Sequence, residues 1–213
     1  MNKFIFFVFL LSSISFAKIN LAFVTLGGGY PGGIIGDLNS SFEKAYKMAV
    51  ENFGASRTES LTKTQGGSFS ANIAFRFIDT AFIPRKMQFG GLIGYSYHGT
   101  GEAKWQEKYD GYDLSVSGKY SISEIRFTPV ALIFNENITG LGVGAGGAYN
   151  FVNYNQKQTS NLPSIVSLPN SLSSLNSGFT WLIWGMLRYQ IFGIEASFTG
   201  VNRYYIGAFI CVP

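Results

Sequence analysis

Four charged residues fall on the small-residue face of segments that otherwise alternate with apolar side chains: Arg76, Arg126, Arg188 and Glu195. Arg76 and Arg188 come late in two segments that we interpret as descending wall strands, and Glu195 comes early in the ascending segment after Arg188. If all four side chains point into a narrow barrel, they meet in the half of the lumen near the short turns. A charge buried there without a partner costs several kcal/mol. We therefore predict a Glu195–Arg188 contact, with Arg76 or Arg126 nearby and Glu124 as a further candidate. The cluster is interpreted as a structural ion-pair plug, with an ion-selective constriction as the alternative.

A second set of candidates, His98, Thr100 and Glu102, lies where an ascending segment ends. A hydroxyl nucleophile needs a base within hydrogen-bond reach, and positions 98 and 100 share one strand face. The favoured interpretation is nevertheless a histidine at the rim, in water or lipid headgroups. His98 is the only histidine and Cys211 the only cysteine, so a two-histidine metal site, a cysteine metal cluster and an intramolecular disulfide are excluded. We expect no metal and no cofactor.

A formal dinucleotide-binding pattern, Gly142-x-Gly144-x-x-Gly147, is also present. That motif needs a helix directly after the glycines and an acidic residue about 20 positions further on. Here an alternating segment continues through Tyr149 and Phe151, and residues 162–168 contain no acid. These glycines are better explained as space for side chains inside a sheet.

The elements that must position these residues have a period of two. In the segment 66–79 one face is apolar and the other is small or polar, and the segment 87–98 alternates in the same way. Side chains on a strand point alternately to opposite faces, so the two segments form an antiparallel hairpin. Only 13% of the residues are charged, against about 25% in soluble domains. A small polar face suits a narrow lumen and an aromatic-rich face suits lipid, which indicates a transmembrane barrel over a soluble one.

The start of the chain predicts export. Residues 1–17 combine a basic start, a short apolar run and the small-x-small site Ser15-x-Ala17, as in a signal peptide. Residues 18–213 would then form one barrel domain. No later run is apolar for the roughly 20 residues that a membrane helix needs. The net charge of +4 forms no basic run, so no nucleic-acid partner is expected.

The chain divides into about eight wall strands. The glycine cluster 27–33 is expected to end the first strand and open a loop, and Ser40 with Glu43 has the spacing of a capping box for a short helix over 40–54. That helix should cap the barrel mouth or lie at the membrane interface. Residues 99–112 and 153–177 are expected to be long loops, and a shift in apolar parity predicts a bulge near Glu124. The segment 203–212 should close the sheet.

This layout resembles the small outer-membrane barrels of the OmpA, OmpX and OmpW type over nearly all of residues 18–213. The pieces that carry the resemblance are the strand Ile125–Phe134 with its Thr128-Pro129, and the glycine-alternating strand Gly140–Tyr149. The resemblance implies a bacterial outer-membrane location and contact with outer-membrane lipid. Such families include adhesion, invasion, structural and small hydrophobic-transport proteins. We expect a non-enzymatic barrel with a structural role or surface-loop interactions, with passage of small or hydrophobic solutes as the alternative. His98-x-Thr100 also loosely resembles the His-x-Ser pair of lipid A deacylase barrels, which would imply a lipid-modifying enzyme.

Overall fold

The computed structural model describes residues 18–53, 58–78, 87–109, 112–135, 139–160, 175–201 and 204–212. Its elements in chain order are β1 (Lys18–Tyr30), α1 (Gly32–Phe53), β2 (Thr58–Thr62), β3 (Gly66–Ile78), β4 (Met87–Thr100), β5 (Ala103–Tyr109), β6 (Tyr112–Asn135), β7 (Thr139–Ser160), β8 (Gly178–Tyr189), β9 (Phe192–Thr199) and β10 (Tyr205–Val212). The predicted signal peptide over 1–17 and residues 161–174 of the predicted loop 153–177 lie outside the described residues.

Eight of the strands close into a ring of antiparallel pairs. The order around the ring is β1, β3, β4, β6, β7, β8, β9 and β10, and β10 pairs back onto β1 from Val24–Val212 to Tyr30–Ile206. Neighbours in the ring follow one another along the chain, with β2 and β5 as the interruptions. This confirms the predicted up-and-down antiparallel architecture of about eight strands, including closure by the last strand.

The two remaining strands prolong the wall beyond the ring. β5 pairs with the first part of β6 from Ala103–Gly118 to Tyr109–Tyr112, and β2 pairs with β5. The upper part of β7 also continues along β6 as far as the Leu114–Ser160 pair. A four-stranded extension, β2–β5–β6–β7, therefore rises on one side of the mouth. The expectation of long loops was wrong for 103–109 and for 153–160, where cross-strand pairing outweighs the polar, loop-like composition of the segments.

The two faces of the wall are arranged as predicted. On β3, Phe69 and Ile73 are exposed on the outside while Ser70 and Asn72 are fully buried inside. β10 shows strict alternation between buried and exposed positions along its whole length. The apolar side chains of the ring thus point mainly outward, and the small and polar ones point into the lumen.

The lumen is filled in three layers. Near the short connections lies an apolar layer that includes Phe23, Leu92, Leu132, Met186 and Phe209. A polar layer follows in the middle. At the other end, a second apolar region is formed by α1 and the inner face of the extension, with Leu38, Phe42, Ala45, Trp105 and Val116 among its members.

The layering explains why the predicted bulge near Glu124 is wrong. The register of β6 against β4 runs without a shift from Gly99–Ser121 to Met87–Ile133. Ile122 is buried inside and Ile125 is exposed outside. The apolar residues change from even to odd positions because the inner face itself changes. It is apolar at Ile122 and charged in the middle layer below.

The helix α1 is longer than predicted and begins earlier. It has 22 residues from Gly32, which is about 33 Å at 1.5 Å per residue. The glycine cluster does not open a loop, because β1 runs through it to Tyr30 and the helix starts two residues later. Gly32 lies against the Tyr204 ring, where a Cβ atom would clash with the ring carbons. Burial of Ile34 and Ile35, together with Ile122 below them, fixes this first turn over the lumen. The prediction that the helix caps the mouth is confirmed.

Candidate functional site

Glu195 is the centre of a polar network in the middle layer. Its side chain is 2% exposed, and each carboxylate oxygen accepts two hydrogen bonds. Oε1 accepts from the hydroxyls of Ser70 and, at 3.2 Å, Tyr205. Oε2 accepts from Asn72 Nδ2 and from Trp184 Nε1, both at 3.1 Å. One carboxylate therefore joins four strands, β3, β8, β9 and β10, across the lumen.

The ion pair of the middle layer is formed by Glu124 and Arg126. Both side chains are fully buried, and Arg126 Nε donates to Glu124 Oε1 at 2.6 Å. Arg126 Nη2 also donates to Ser197 at 3.3 Å, and its guanidinium lies 5.7 Å from the centre of the Tyr205 ring. Because Tyr205 also bonds to Glu195, it links the ion pair to the Glu195 network.

The other two predicted arginines lie outside this centre. Arg188 lies one layer nearer the short connections, where its Nη1 is 3.4 Å from the buried Sγ of Cys211. Arg76 is half-buried in the last part of β3, paired in register with Asn20 and Gly90. Among the described residues the partners of Glu195 are four neutral side chains, so the structure brings together Glu124, Arg126 and Glu195 rather than Glu195 and Arg188.

The expectation that His98 lies at the rim, in water or lipid headgroups, was wrong. His98 is fully buried in the lumen, with Nδ1 2.7 Å from Ser68 Oγ and Nε2 2.9 Å from Ser96 Oγ. Ser96 in turn donates to Glu124 at 3.4 Å. The imidazole is therefore one member of the same interior network, because its strand position points inward and the helix covers it.

Thr100 and Glu102 are not assembled with His98. Thr100 Oγ1 accepts a hydrogen bond from the backbone amide of Tyr120 at 2.8 Å. Glu102 is exposed and accepts from Ser117 at 2.7 Å. The three residues belong to three different local contacts. Among the described residues no group of three or more histidine, cysteine, aspartate or glutamate side chains is placed to hold a metal ion.

Sequence reasoning missed most partners of Glu195. Ser70 and Asn72 were recognised only as polar-face residues, while Trp184 and Tyr205 look like ordinary wall aromatics. The one available signal was the parity of β8, where Trp181 and Trp184 are three positions apart and must face opposite sides. Trp181 is 55% exposed on the outside and Trp184 is buried inside.

The outer face of the ring is an apolar band. Every ring strand carries exposed aromatic or aliphatic side chains. On β8, for example, they extend from Phe179 to Tyr189. These two positions are 189 − 179 = 10 residues apart. At about 3.3 Å per residue and a tilt of about 40°, they are roughly 25 Å apart along the barrel axis. Among the described outward-facing ring residues within this band, none is Lys, Arg, Asp or Glu.

The band ends abruptly near the mouth. On the outer face of β7, Tyr149 and Phe151 are followed by Asn153, Asn155 and Lys157. Tyr95 and Tyr97 are exposed at about this level on β4, and the Tyr95 hydroxyl lies 3.2 Å from Ser123 Oγ. Aromatic residues with polar tips are favoured where an apolar environment meets water.

No helix among the described residues is long and apolar enough to cross a bilayer. Comparison of the chain with protein-family models, with curated proteins and with solved structures finds no match.

Proposed function

We propose that this chain is an integral outer-membrane β-barrel whose role is structural or lies in the surface that it presents beyond the membrane. The observation that carries the proposal is the outer face of the ring, an uncharged apolar band roughly 25 Å tall. A bilayer has no water to satisfy open strand edges, so a closed ring is the form in which strands can cross it. The resemblance to the OmpA, OmpX and OmpW type supports the same location.

The filling of the lumen favours this function over a solute channel. The polar middle layer has an apolar layer below it and α1 above it, and its main groups are bonded to one another. Among the described residues, this packing supports a filled interior over a continuous aqueous or apolar passage. The alternative of a lipid-modifying enzyme around His98 is weakened because the imidazole lies in the closed lumen, apart from Thr100 and Glu102.

The orientation of the wall is tested by two tryptophans on opposite faces. A variant with Trp105→Phe and Trp184→Phe retains only Trp181, and a variant with Trp105→Phe and Trp181→Phe retains only Trp184. Both are folded into vesicles of phosphatidylcholine with brominated acyl chains, which quench fluorescence by contact. We expect strong quenching of Trp181 and little quenching of Trp184.

Folding of each variant is checked by its shifted mobility on unheated SDS gels. If the loss of the Trp184–Glu195 bond prevents folding, wild-type protein and the single variant Trp181→Phe give the same comparison. Equal quenching of the two tryptophans, or quenching mainly of Trp184, would overturn the membrane proposal.

A further inference from the structure

A group of lysines lies on the outer face of the extension, above the apolar band. Lys104 of β5 and Lys157 of β7 are each paired in register with Ser117 of β6, one on either side. Neighbouring strands are about 4.8 Å apart, so the two lysine Cα atoms are roughly 10 Å apart. Lys119 lies two residues further along β6 on the same face. We call these three residues the lysine row.

The outward direction of the lysine row follows from its neighbours. Leu114, Val116 and Tyr120 of β6 are buried on the inner face against α1. Ser117 and Lys119 alternate with them and therefore face outward. Lys119 and Lys157 are exposed, and Lys104 is partly so. Two acids lie on this face, Glu102, which is bonded to Ser117, and Asp113, four residues from Ser117 along β6. Three lysines against two acids leave a positive excess.

The height of the row matches a lipid headgroup. Lys119 pairs with Asn155, and 155 − 151 = 4 residues separate Asn155 from Phe151, the last apolar position on β7. This distance is about 10 Å along the barrel axis. The headgroup region extends about 5 to 8 Å beyond the hydrocarbon on each side, and a lysine stem can bend back toward it. The ammonium group of Lys119 therefore reaches the level of the phosphates, with those of Lys157 and Lys104 above it.

We propose that the lysine row binds the phosphate of an anionic membrane lipid, with the acyl chains of that lipid lying on the outer face of β6 and β7. This inference rests on the membrane location proposed above. Three flexible ammonium groups around one small polar residue suit a phosphate, which accepts hydrogen bonds on several oxygens. The acyl chains would contact Phe127, Val143 and Tyr149, which are exposed below the row.

The test compares two variants with equal loss of charge. Lys119→Gln with Lys157→Gln alters the row. Lys44→Gln with Lys47→Gln alters two exposed lysines on α1 and serves as the control. Wild-type protein and both variants are folded in zwitterionic detergent, and the bound phosphatidylglycerol and phosphatidylcholine are measured by native mass spectrometry. A juxtamembrane lysine contributes about fivefold in binding to an anionic surface, so the loss of two lysines should reduce the preference of the row variant for phosphatidylglycerol by about 25-fold.

The control variant should keep the preference of the wild-type protein. Equal loss in both variants would reduce the effect to net charge and overturn the proposal, as would an unchanged preference in the row variant. Displacement of the lipid by millimolar inorganic phosphate would instead identify a site for free phosphate and would also overturn it. Failure of the membrane proposal itself is distinguished by the absence of Trp181 quenching in brominated phosphatidylcholine, where no anionic lipid is present.

Discussion

Substitution of Glu195 tests whether the middle layer depends on hydrogen bonding or on charge. In Glu195→Ala, four buried donors lose their acceptor: the side chains of Ser70, Asn72, Trp184 and Tyr205. An unsatisfied buried donor costs about 1 to 3 kcal/mol. The Ser70 and Tyr205 hydroxyls lie 3.3 Å apart and can bond to each other, and Asn72 Nδ2 keeps its bond to Thr25. Three donor hydrogens are then left without an acceptor, so the expected loss in the free energy of unfolding is about 3 kcal/mol at the lower end of this range.

Glu195→Gln should be much milder. The amide oxygen can take the place of Oε2 and accept from Asn72 and Trp184. The amide NH₂ group then faces Ser70 and Tyr205, whose hydroxyls can accept as well as donate. All four partners remain satisfied, so we expect a loss of about 1 kcal/mol. Glu195→Leu fills the volume but supplies no acceptor, and it should behave like Glu195→Ala.

The measurement is equilibrium unfolding in urea of protein folded in phosphatidylcholine vesicles, followed by tryptophan fluorescence and by gel mobility. We expect the free energy of unfolding to be highest for the wild-type protein, slightly lower for Glu195→Gln, and much lower for Glu195→Leu and Glu195→Ala. If Glu195→Gln lost as much stability as Glu195→Ala, the negative charge of Glu195 near Arg126 would be the important property, and its hydrogen bonds would not be. If the Glu195→Leu variant were as stable as the Glu195→Gln variant, the four donors would have other acceptors.

Three further predictions concern the ion pair, the helix and the filled lumen. Arg126→Met leaves the Glu124 carboxylate buried without its cation and should lower the free energy of unfolding by about 3 to 5 kcal/mol. The double variant Arg126→Met with Glu124→Gln should recover most of that loss. Urea unfolding measures both variants, and equal stability of the single and double variants would contradict the pairing. Asn39 of α1 exchanges two hydrogen bonds with the backbone of Thr64, at 2.9 and 3.3 Å, so Asn39→Ala should loosen the helix and raise its rate of hydrogen exchange relative to Ser40→Ala on the same helix. Conductance in planar bilayers should stay at baseline for the wild type and for Asn39→Ala, because the layer around Phe23 still blocks the lumen; a steady Glu195-dependent current would contradict the plugged interior.

The alternation of side chains along a strand was sufficient to predict the strands of the wall and their two faces. Alternation along 66–78 and 87–98 predicted both strands and their faces, because side-chain direction in a strand depends only on the position in the sequence. The same rule placed Glu124, Arg126 and His98 on inward-facing positions once the register was known. It failed for 103–109 and 153–160, where polar residues belong to strands that each pair with β6 above the ring.

The helix shows a different kind of limit. The capping signal at Ser40 is a local propensity, and it predicted a start eight residues too late. The first turns are held by contacts from distant parts of the chain, including the bond from Gly33 N to the backbone oxygen of Tyr204. Packing of Ile34 and Ile35 over Ile122 outweighs the low helix propensity of the glycines in this segment.

The sequence by itself determined the number of wall strands, their antiparallel order and the side that each side chain faces, since these follow from a period of two and from the turns. Only the tertiary structure decided which inward charges meet. Glu195 bonds to Asn72 across 123 positions, and Arg126 pairs with a neighbour on its own strand and not with Glu195. Such partners depend on the tilt, the stagger and the layered filling of the closed ring, and these quantities exist only when all eight strands are in place.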